Sequence, residues 1–177
     1  MNIVLLTGSA HRSGTTAALA REFQRGAEDA GHEVFRFNTA FREVHPCIGC
    51  DRCRREGVCT FAADDMKRLN PHLLAAEAVV FVSPIYYFDL SAQLKAVIDR
   101  FYANDDALHG GKRALLLTAM ADEDLGAAEG ADATFRSICA YLQWENAGIL
   151  NAAGASTAED LTEEDLRRAY DLGKDLK

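Results

Sequence analysis

Four of the five cysteines fall within thirteen residues, as Cys47-x2-Cys50-x2-Cys53-x5-Cys59. Thiolates at such spacing hold a metal or exchange electrons themselves. Zinc ribbons use two C-x2-C knuckles separated by a longer spacer, so zinc fits this run less well. Three cysteines at x2 spacing are closer to the ferredoxin pattern, in which thiolates hold iron at the corners of a cluster. Arg52, Arg54 and Arg55 would offset the negative charge of such a site. With no metal bound, they would lower the thiol pKa values instead. An iron-sulfur cluster, a regulatory or redox thiol loop and a zinc site all stay open on spacing alone. Cys139 stands apart, beside Ile138 and Leu142 on an expected helix, and reads as a buried structural thiol.

Two other stretches have the residue types that hold a ligand. The first, "TGSAHRSGTT" at 7–16, follows the apolar run "NIVLL". Thr15 stands where a nucleotide-hydrolysing loop needs Lys, and G-x-G-x-x-G is absent. What remains is a turn of hydroxyl side chains (Ser9, Ser13, Thr15, Thr16) entering a helix N-terminus. Free N–H groups and the helix dipole attract an anion there, and His11 and Arg12 add positive charge. Without a Lys or an acidic Mg²⁺ ligand, the loop is expected to bind a phosphate but not transfer it. A phosphomonoester such as that of FMN fits. The plainer alternative is a tight turn with hydroxyl caps.

The second stretch, "SPIYYFDL" at 83–90, places Pro84, Ile85, Tyr86, Tyr87 and Phe88 after a buried strand. A flat tricyclic ring needs apolar walls and backbone amides at its polar edge, and this loop has both. For any one of these rings, packing under the sheet or in a subunit interface is the alternative.

The rest of the chain must position these stretches. Strands are expected at 2–7, 33–38, 77–82, 112–119 and 146–151, the first and third built on continuous apolar runs, as in strands buried on both faces. Helices are expected at 15–30, 65–75 (with Asp64 as cap), 94–102, 132–143 and 163–175, the last opened by Thr162 and Asp165 as a capping box. Residues 39–63 read as irregular and 120–131 as a mobile acidic loop. Asp89 or Ser91 reads as a helix cap, and Trp144 as packing at the start of the last strand. His32, His45, His72 and His109 read as surface histidines, and Asp122, Glu123 and Asp124 as facing solvent. Alternating strands and helices predict one α/β domain over 1–177, a flavodoxin-like doubly wound parallel sheet in three layers, strand order 2-1-3-4-5. A cysteine-rich loop at about 45–63 interrupts it. Ligands in such sheets bind where the order reverses, between strands one and three. That singles out 8–16 and 83–90.

A formal net charge of -8, with acidic residues spread along the chain, argues against a nucleic-acid partner. No stretch is long and apolar enough to span a membrane, and the N-terminus shows no secretory signal. A cytoplasmic location with reduced thiols is therefore the expectation.

Taken together, "GSAHRSGTT", "PCIGCDRCRREGVCTFAADDM" and "SPIYYFDLSAQLKAVIDRF" resemble the NADPH-dependent FMN reductase-like family of flavodoxin-fold proteins, and within it the iron-sulfur flavoproteins. The resemblance runs over residues 1–120. It implies non-covalent FMN, NAD(P)H as co-substrate, a small acceptor (quinone, free flavin or nitroaromatic), and a homodimer or tetramer with flavin near the subunit interface. By position, Ser9, Arg12, Ser13, Gly14, Thr15 and Thr16 would hold the phosphate. Pro84, Ile85, Tyr86, Tyr87 and Phe88 would line the ring, and the loop near Ala119 and Met120 would close over it. Cys47, Cys50, Cys53 and Cys59 would ligate a [4Fe–4S] cluster, although the resemblance leaves its presence open. His11 and Thr15 depart from the family pattern. The alternative function is an electron carrier with FMN and a cluster, served by a ferredoxin-like donor. A thiol-switched sensor is a third reading. No catalytic acid or base is named, because the flavin carries the chemistry.

Overall fold

The structure is a computed structural model that describes all 177 residues. Its elements in chain order are β1 (Asn2–Thr7), α1 (Thr15–Asp29), β2 (Glu33–Asn38), α2 (Arg52–Glu56), α3 (Met66–Ala75), β3 (Ala78–Tyr86), β4 (Asp89–Leu90), α4 (Ala92–Asp99), α5 (Asp105–Leu108), β5 (Arg113–Ala119), α6 (Glu129–Leu142), β6 (Glu145–Ala152) and α7 (Glu163–Lys174). Five strands pair in parallel in the order β2-β1-β3-β5-β6, which is the expected 2-1-3-4-5 when only the parallel strands are counted.

Side chains along a strand alternate between faces, so β1 feeds two cores. Ile3 and Leu5 pack with Leu19, Phe23 and Ala27 of α1 and Ala169 of α7. Val4 and Leu6 pack with Leu69 and Leu73 of α3, Leu94 and Val97 of α4, and Phe135 of α6. Both faces are covered, which is why β1, β3 and β5 are apolar at successive positions.

Several details differ from the sequence expectations. β3 does not end at 82. It runs on to Tyr86, turns at Tyr87–Phe88 and returns as the short antiparallel β4. The acidic stretch 120–131 is not a loose loop. Asp124 accepts the Gly126 N–H, a 3₁₀ turn covers Leu125–Ala128, and α6 starts at Glu129. Ala127 and Ala128 pack on Met120 beneath it, and that burial orders a segment whose composition looked mobile. Residues 39–63 contain a 3₁₀ turn at Thr39–Phe41 as well as α2. Asp64 accepts the Met66 N–H, but its main partner is Arg100.

Other readings agree with the structure. Ser91 caps α4, and Thr162 and Asp165 form both halves of their box. Trp144 is buried, its indole N–H donating to the Leu108 carbonyl at 2.6 Å. Cys139 is buried, and burial pushes its thiol up to about 11. His45, His72 and His109 are exposed, His72 stacking on Phe35. His32 departs from the surface reading: it is half-buried, with Nε2 2.9 Å from the Leu176 carbonyl and Nδ1 3.2 Å from the Met1 amine. Asp122, Glu123 and Asp124 are exposed.

Candidate functional site

The order of the sheet reverses between β1 and β3, and the loop that leaves β1 there is held by its backbone. The Gly8 N–H donates to the Val82 carbonyl at 2.8 Å, and the Ser91 hydroxyl donates to the Gly8 carbonyl at 2.8 Å. A methyl group at position 8 would collide with Ser91 Oγ and Leu94 Cβ, so only glycine fits. The Ser9 hydroxyl accepts the His11 N–H at 3.0 Å. α1 then opens at Thr15 with Gly14 at its cap. No side chain caps it, and its first turn holds no carboxylate. The first N–H groups of a 15-residue helix thus face the loop without a side-chain acceptor. A phosphate fits there by charge and by donor supply.

Of the expected phosphate residues, Ser13, Gly14, Thr15 and Thr16 stand together at this turn, and Ser9 is buried beside it. Arg12 does not point into the loop. Its guanidinium lies over the Phe41 ring, 3.7 Å from the centroid.

The aromatic stretch faces the same end of the sheet. Ser83 and Pro84 still pair with Thr118 and Ala119 of β5, after which the chain lifts away as the β3–β4 hairpin. Tyr87 and Phe88 take left-handed conformations (φ 48° and 67°), as a two-residue hairpin turn of the primed type demands. Tyrosine and phenylalanine are poor residues for that region, and such strain gathers at ligand sites. Tyr87 is 99% exposed, Phe88 63% and Tyr86 49%. None of the three rings serves this chain's core. α6 comes close beneath: a methyl group at Gly130 would collide with the Phe88 carbonyl.

Pro84 is buried, and Ile85 is half-buried against the Met120 cluster. Ala119 and Met120 are buried too, and the backbone of Met120 is already bonded, its N–H to Ala152 and its carbonyl to Ala155. These two residues form the floor behind the hairpin and present no surface above it. Ser91 joins the loops: its N–H donates to Ser83 Oγ at 2.9 Å while its hydroxyl holds Gly8.

The cysteine loop lies to one side, over α4. The buried Arg100 guanidinium grips both of its ends. It donates to the His45 carbonyl at 2.7 Å, to the Phe61 carbonyl at 3.1 Å and to Asp64 Oδ2 at 2.6 Å. Burial alone would raise the Asp64 carboxyl. Arg100 and the N–H groups of His45 and Met66 outweigh that and hold it below its ordinary value. Arg54 ties α2 to Asp105 at 2.8 Å and Asp106 at 3.1 Å, and lies over Tyr102.

Within this frame Cys47, Cys50, Cys53 and Cys59 all line one cavity of about 20 Å³, with Ile48, Phe61 and Tyr102 around them. All four are free thiols. Cys50 is exposed and held below its ordinary pKa, first by the Thr60 hydroxyl at 3.2 Å and then by the Arg52 N–H. The donors suit an iron-sulfur centre in kind. As the side chains stand, no three of them reach a common metal position, so no chemical step is assigned to a cluster.

Asp64, Ser83, Ser91 and Arg100 were not read from the sequence as parts of the site. Arg100 left one signal, a cation between Ile98 and Phe101 beside the apolar stripe of its helix. Asp64 looked like a cap because it precedes a helix, but the cap position is Asp65, and Asp64 accepts the Met66 N–H while serving mainly as the partner of Arg100.

Residues 1–148 match the NADPH-dependent FMN reductase family. An iron-sulfur flavoprotein of Methanocaldococcus jannaschii is 34% identical over 100 residues, covering 56% of this chain and 51% of that protein. An FMN-dependent NADH:quinone oxidoreductase of Methylorubrum extorquens is 31% identical over 126 residues, covering 63% and 62%. The chain spans about half the length of the iron-sulfur flavoproteins it matches.

Among solved structures, an NAD(P)H:quinone oxidoreductase from Methanothermobacter marburgensis superposes with a TM-score of 0.74 at 19% identity, over 99% of this chain and 95% of that one. An FMN-dependent NADH-azoreductase from Bacillus anthracis, in complex with FMN, superposes with a TM-score of 0.68 at 16% identity, over 99% and 97%. These likenesses establish the flavodoxin-like fold. The family match takes in both loops at the sheet reversal and the whole cysteine segment, and the chain belongs to the NADPH-dependent FMN reductase family.

Proposed function

We propose that this protein is an FMN-dependent oxidoreductase that takes reducing equivalents from NAD(P)H and passes them to a small acceptor, a quinone, free flavin or nitroaromatic. One observation carries this reading. An uncapped, carboxylate-free helix start and a strained hairpin of exposed aromatic rings share one end of the sheet, and Ser91 ties together the strand ends that lead to them, through the Gly8 carbonyl and the Ser83 hydroxyl. Bound FMN would supply the hydride and electron transfer.

The chain's own residues do the positioning. The turn at Ser13–Thr16 would hold the phosphate through backbone N–H groups and hydroxyls. Tyr86, Tyr87 and Phe88 would wall the ring, with Ile85 at their base and Ala119 and Met120 as the floor behind. Because Ser91 fixes Gly8 and Ser83 together, the distance from phosphate to ring is set before any ligand arrives, which lowers the ordering cost of binding. No side chain at this end is assigned as acid or base.

The test is direct. The purified protein is stripped of flavin and titrated with FMN, and NADH and NADPH oxidation is then followed with a quinone acceptor. Saturable FMN binding with FMN-dependent oxidation supports the reading. Failure to bind FMN overturns it.

The fully exposed Tyr87 also supports a homodimer or tetramer in which a neighbouring subunit completes the ring pocket. No helix is long and apolar enough to cross a membrane.

A second reading rests on a separate observation: four thiols line one cavity on a loop clamped at both ends. On this reading the protein is an iron-sulfur flavoprotein that carries electrons from a ferredoxin-like donor. Anaerobic reconstitution with iron and sulfide decides it. About four irons per chain is the expected result for a four-cysteine site, and none bound sinks it.

A further inference from the structure

On the far side of the phosphate loop from the aromatic hairpin lies a second pocket, of about 250 Å³, between α1 and the edge strand β2. The register of β1 and β2 sets Arg36 opposite Leu5 and Asn38 opposite Thr7. Leu5 packs in the core beneath α1, so Arg36 and Asn38 rise on the face that α1 covers. Arg21 reaches in from α1, and Arg12 closes the top, lying on Phe41. Three guanidinium groups therefore line one pocket, and no carboxylate lines it.

This is not what the composition of the chain predicts. Asp and Glu number 27 against 19 Lys and Arg. Arg12, Arg21 and Arg36 have no carboxylate partner within 4 Å, and Arg36 Nε donates only to the neutral Asn38 Oδ1, at 3.1 Å. Arg36 is half-buried. Burial, and then the charge of Arg21, lowers its pKa. Like charges gathered without a counter-ion cost free energy, and an anion would relieve that cost. A guanidinium pairs readily with phosphate through two parallel N–H groups. Ser9, His11 and Thr16 border this pocket as well as the phosphate loop, so the two sites adjoin.

We infer that this pocket binds a second phosphoryl group of a nucleotide, with Arg21 and Arg36 as its specificity-determining residues. The inference rests on the oxidoreductase reading above, because it takes the first phosphate to lie in the loop at 9–16. Two sources share the chemistry. One is the second phosphate of a flavin dinucleotide, whose adenylate half would continue along the β2 edge. The other is the 2′-phosphate of NADPH.

The experiment compares wild type with Arg21→Ala, Arg36→Ala and the double variant, each checked for folding by circular dichroism. FMN and FAD are titrated into flavin-free protein by fluorescence quenching, and initial rates are measured with NADPH and NADH. A charge-assisted hydrogen bond is lost at each position, so an effect of about tenfold or more is expected in the double variant. A rise in the FAD dissociation constant, with that of FMN unchanged, assigns the pocket to the dinucleotide. A rise in KM for NADPH alone, with NADH unchanged, assigns it to the 2′-phosphate. Arg36→Lys should restore part of either effect.

Equal behaviour of wild type and double variant toward all four ligands overturns the inference. So does a parallel loss of FMN, which would make the pocket part of the first phosphate site. Wild-type protein that binds no FMN would instead overturn the oxidoreductase reading, so the two failures are distinct.

Discussion

The sheet end and the cysteine loop are held by opposite means. At the sheet end the backbone itself is fixed. Gly8 is bonded on both its N–H and its carbonyl, Ser91 bonds to both Gly8 and Ser83, and the hairpin turns on two left-handed residues between paired strands. The cysteine loop is fixed at its ends by Arg100, while Cys47, Ile48, Gly49 and Cys50 between them are exposed. A ligand gripped by N–H groups and ring faces needs its donors in place beforehand, since misplaced donors lose the bond. A centre held by thiolates brings its own coordination geometry, so its loop needs only length, four sulfurs and firm ends.

The clamp is the strongest single hold in this comparison. Arg100→Met leaves Asp64 buried with no cation, and a broken buried pair costs about 3–5 kcal/mol. Chemical denaturation should show a loss of that order, and maleimide labelling of Cys47 and Cys59 should quicken. FMN affinity of the protein that remains folded should hardly change, because Arg100 touches nothing at the sheet end. A loss below about 1 kcal/mol, the range of an exposed pair, would remove the clamp from the account.

The pH dependence follows from the same pair. The Asp64 carboxyl is lowered in the folded state, so its contribution is complete above the unfolded value of about 4 and is lost as pH falls through the folded value. Asp64→Asn should therefore be less stable at neutral pH and should lose less stability on acidification.

Gly8→Ala tests the other side. The added methyl meets Ser91 and Leu94, neither of which is free to move, and overpacking of this kind costs about 1–3 kcal/mol. The phosphate loop would shift relative to the hairpin. FMN affinity should fall by about tenfold, the equivalent of roughly 1.4 kcal/mol, with thiol labelling unaltered. If thiol labelling changed as much as flavin binding did, the two regions would not be independent and the comparison would fail.

The sequence made these regions legible to different degrees. The order of the parallel strands followed from apolar runs alternating with amphipathic helices, because burial on both faces leaves no other pattern. The two loops followed from where the sheet reverses. The hairpin at 83–90 was missed because its turn is Tyr-Phe, whereas left-handed turns usually announce themselves with Asn or Gly. The acidic stretch 120–131 was misread because composition showed its charges but not the three apolar residues, Met120, Ala127 and Ala128, that pin it from below. The Arg100–Asp64 clamp joins residues 36 positions apart, and no local pattern records such a pairing. The arginine pocket was hidden for the same reason, its members coming from a loop, a helix and a strand edge.

The smallest effect bears on the strain of the hairpin. Tyr87 is fully exposed and its φ is positive, so its ring adds no packing here while its backbone carries a cost. Asn adopts the left-handed region more readily. Tyr87→Asn should leave the protein as stable as before or raise its stability by up to about 1 kcal/mol, while FMN binding weakens through loss of a ring wall. Gain in one property with loss in the other would show that the tyrosine is held in strain for its ligand. Loss of stability, with flavin binding unchanged, would show that the ring supports the fold and that the hairpin, like the cysteine loop, depends on side-chain contacts for its shape.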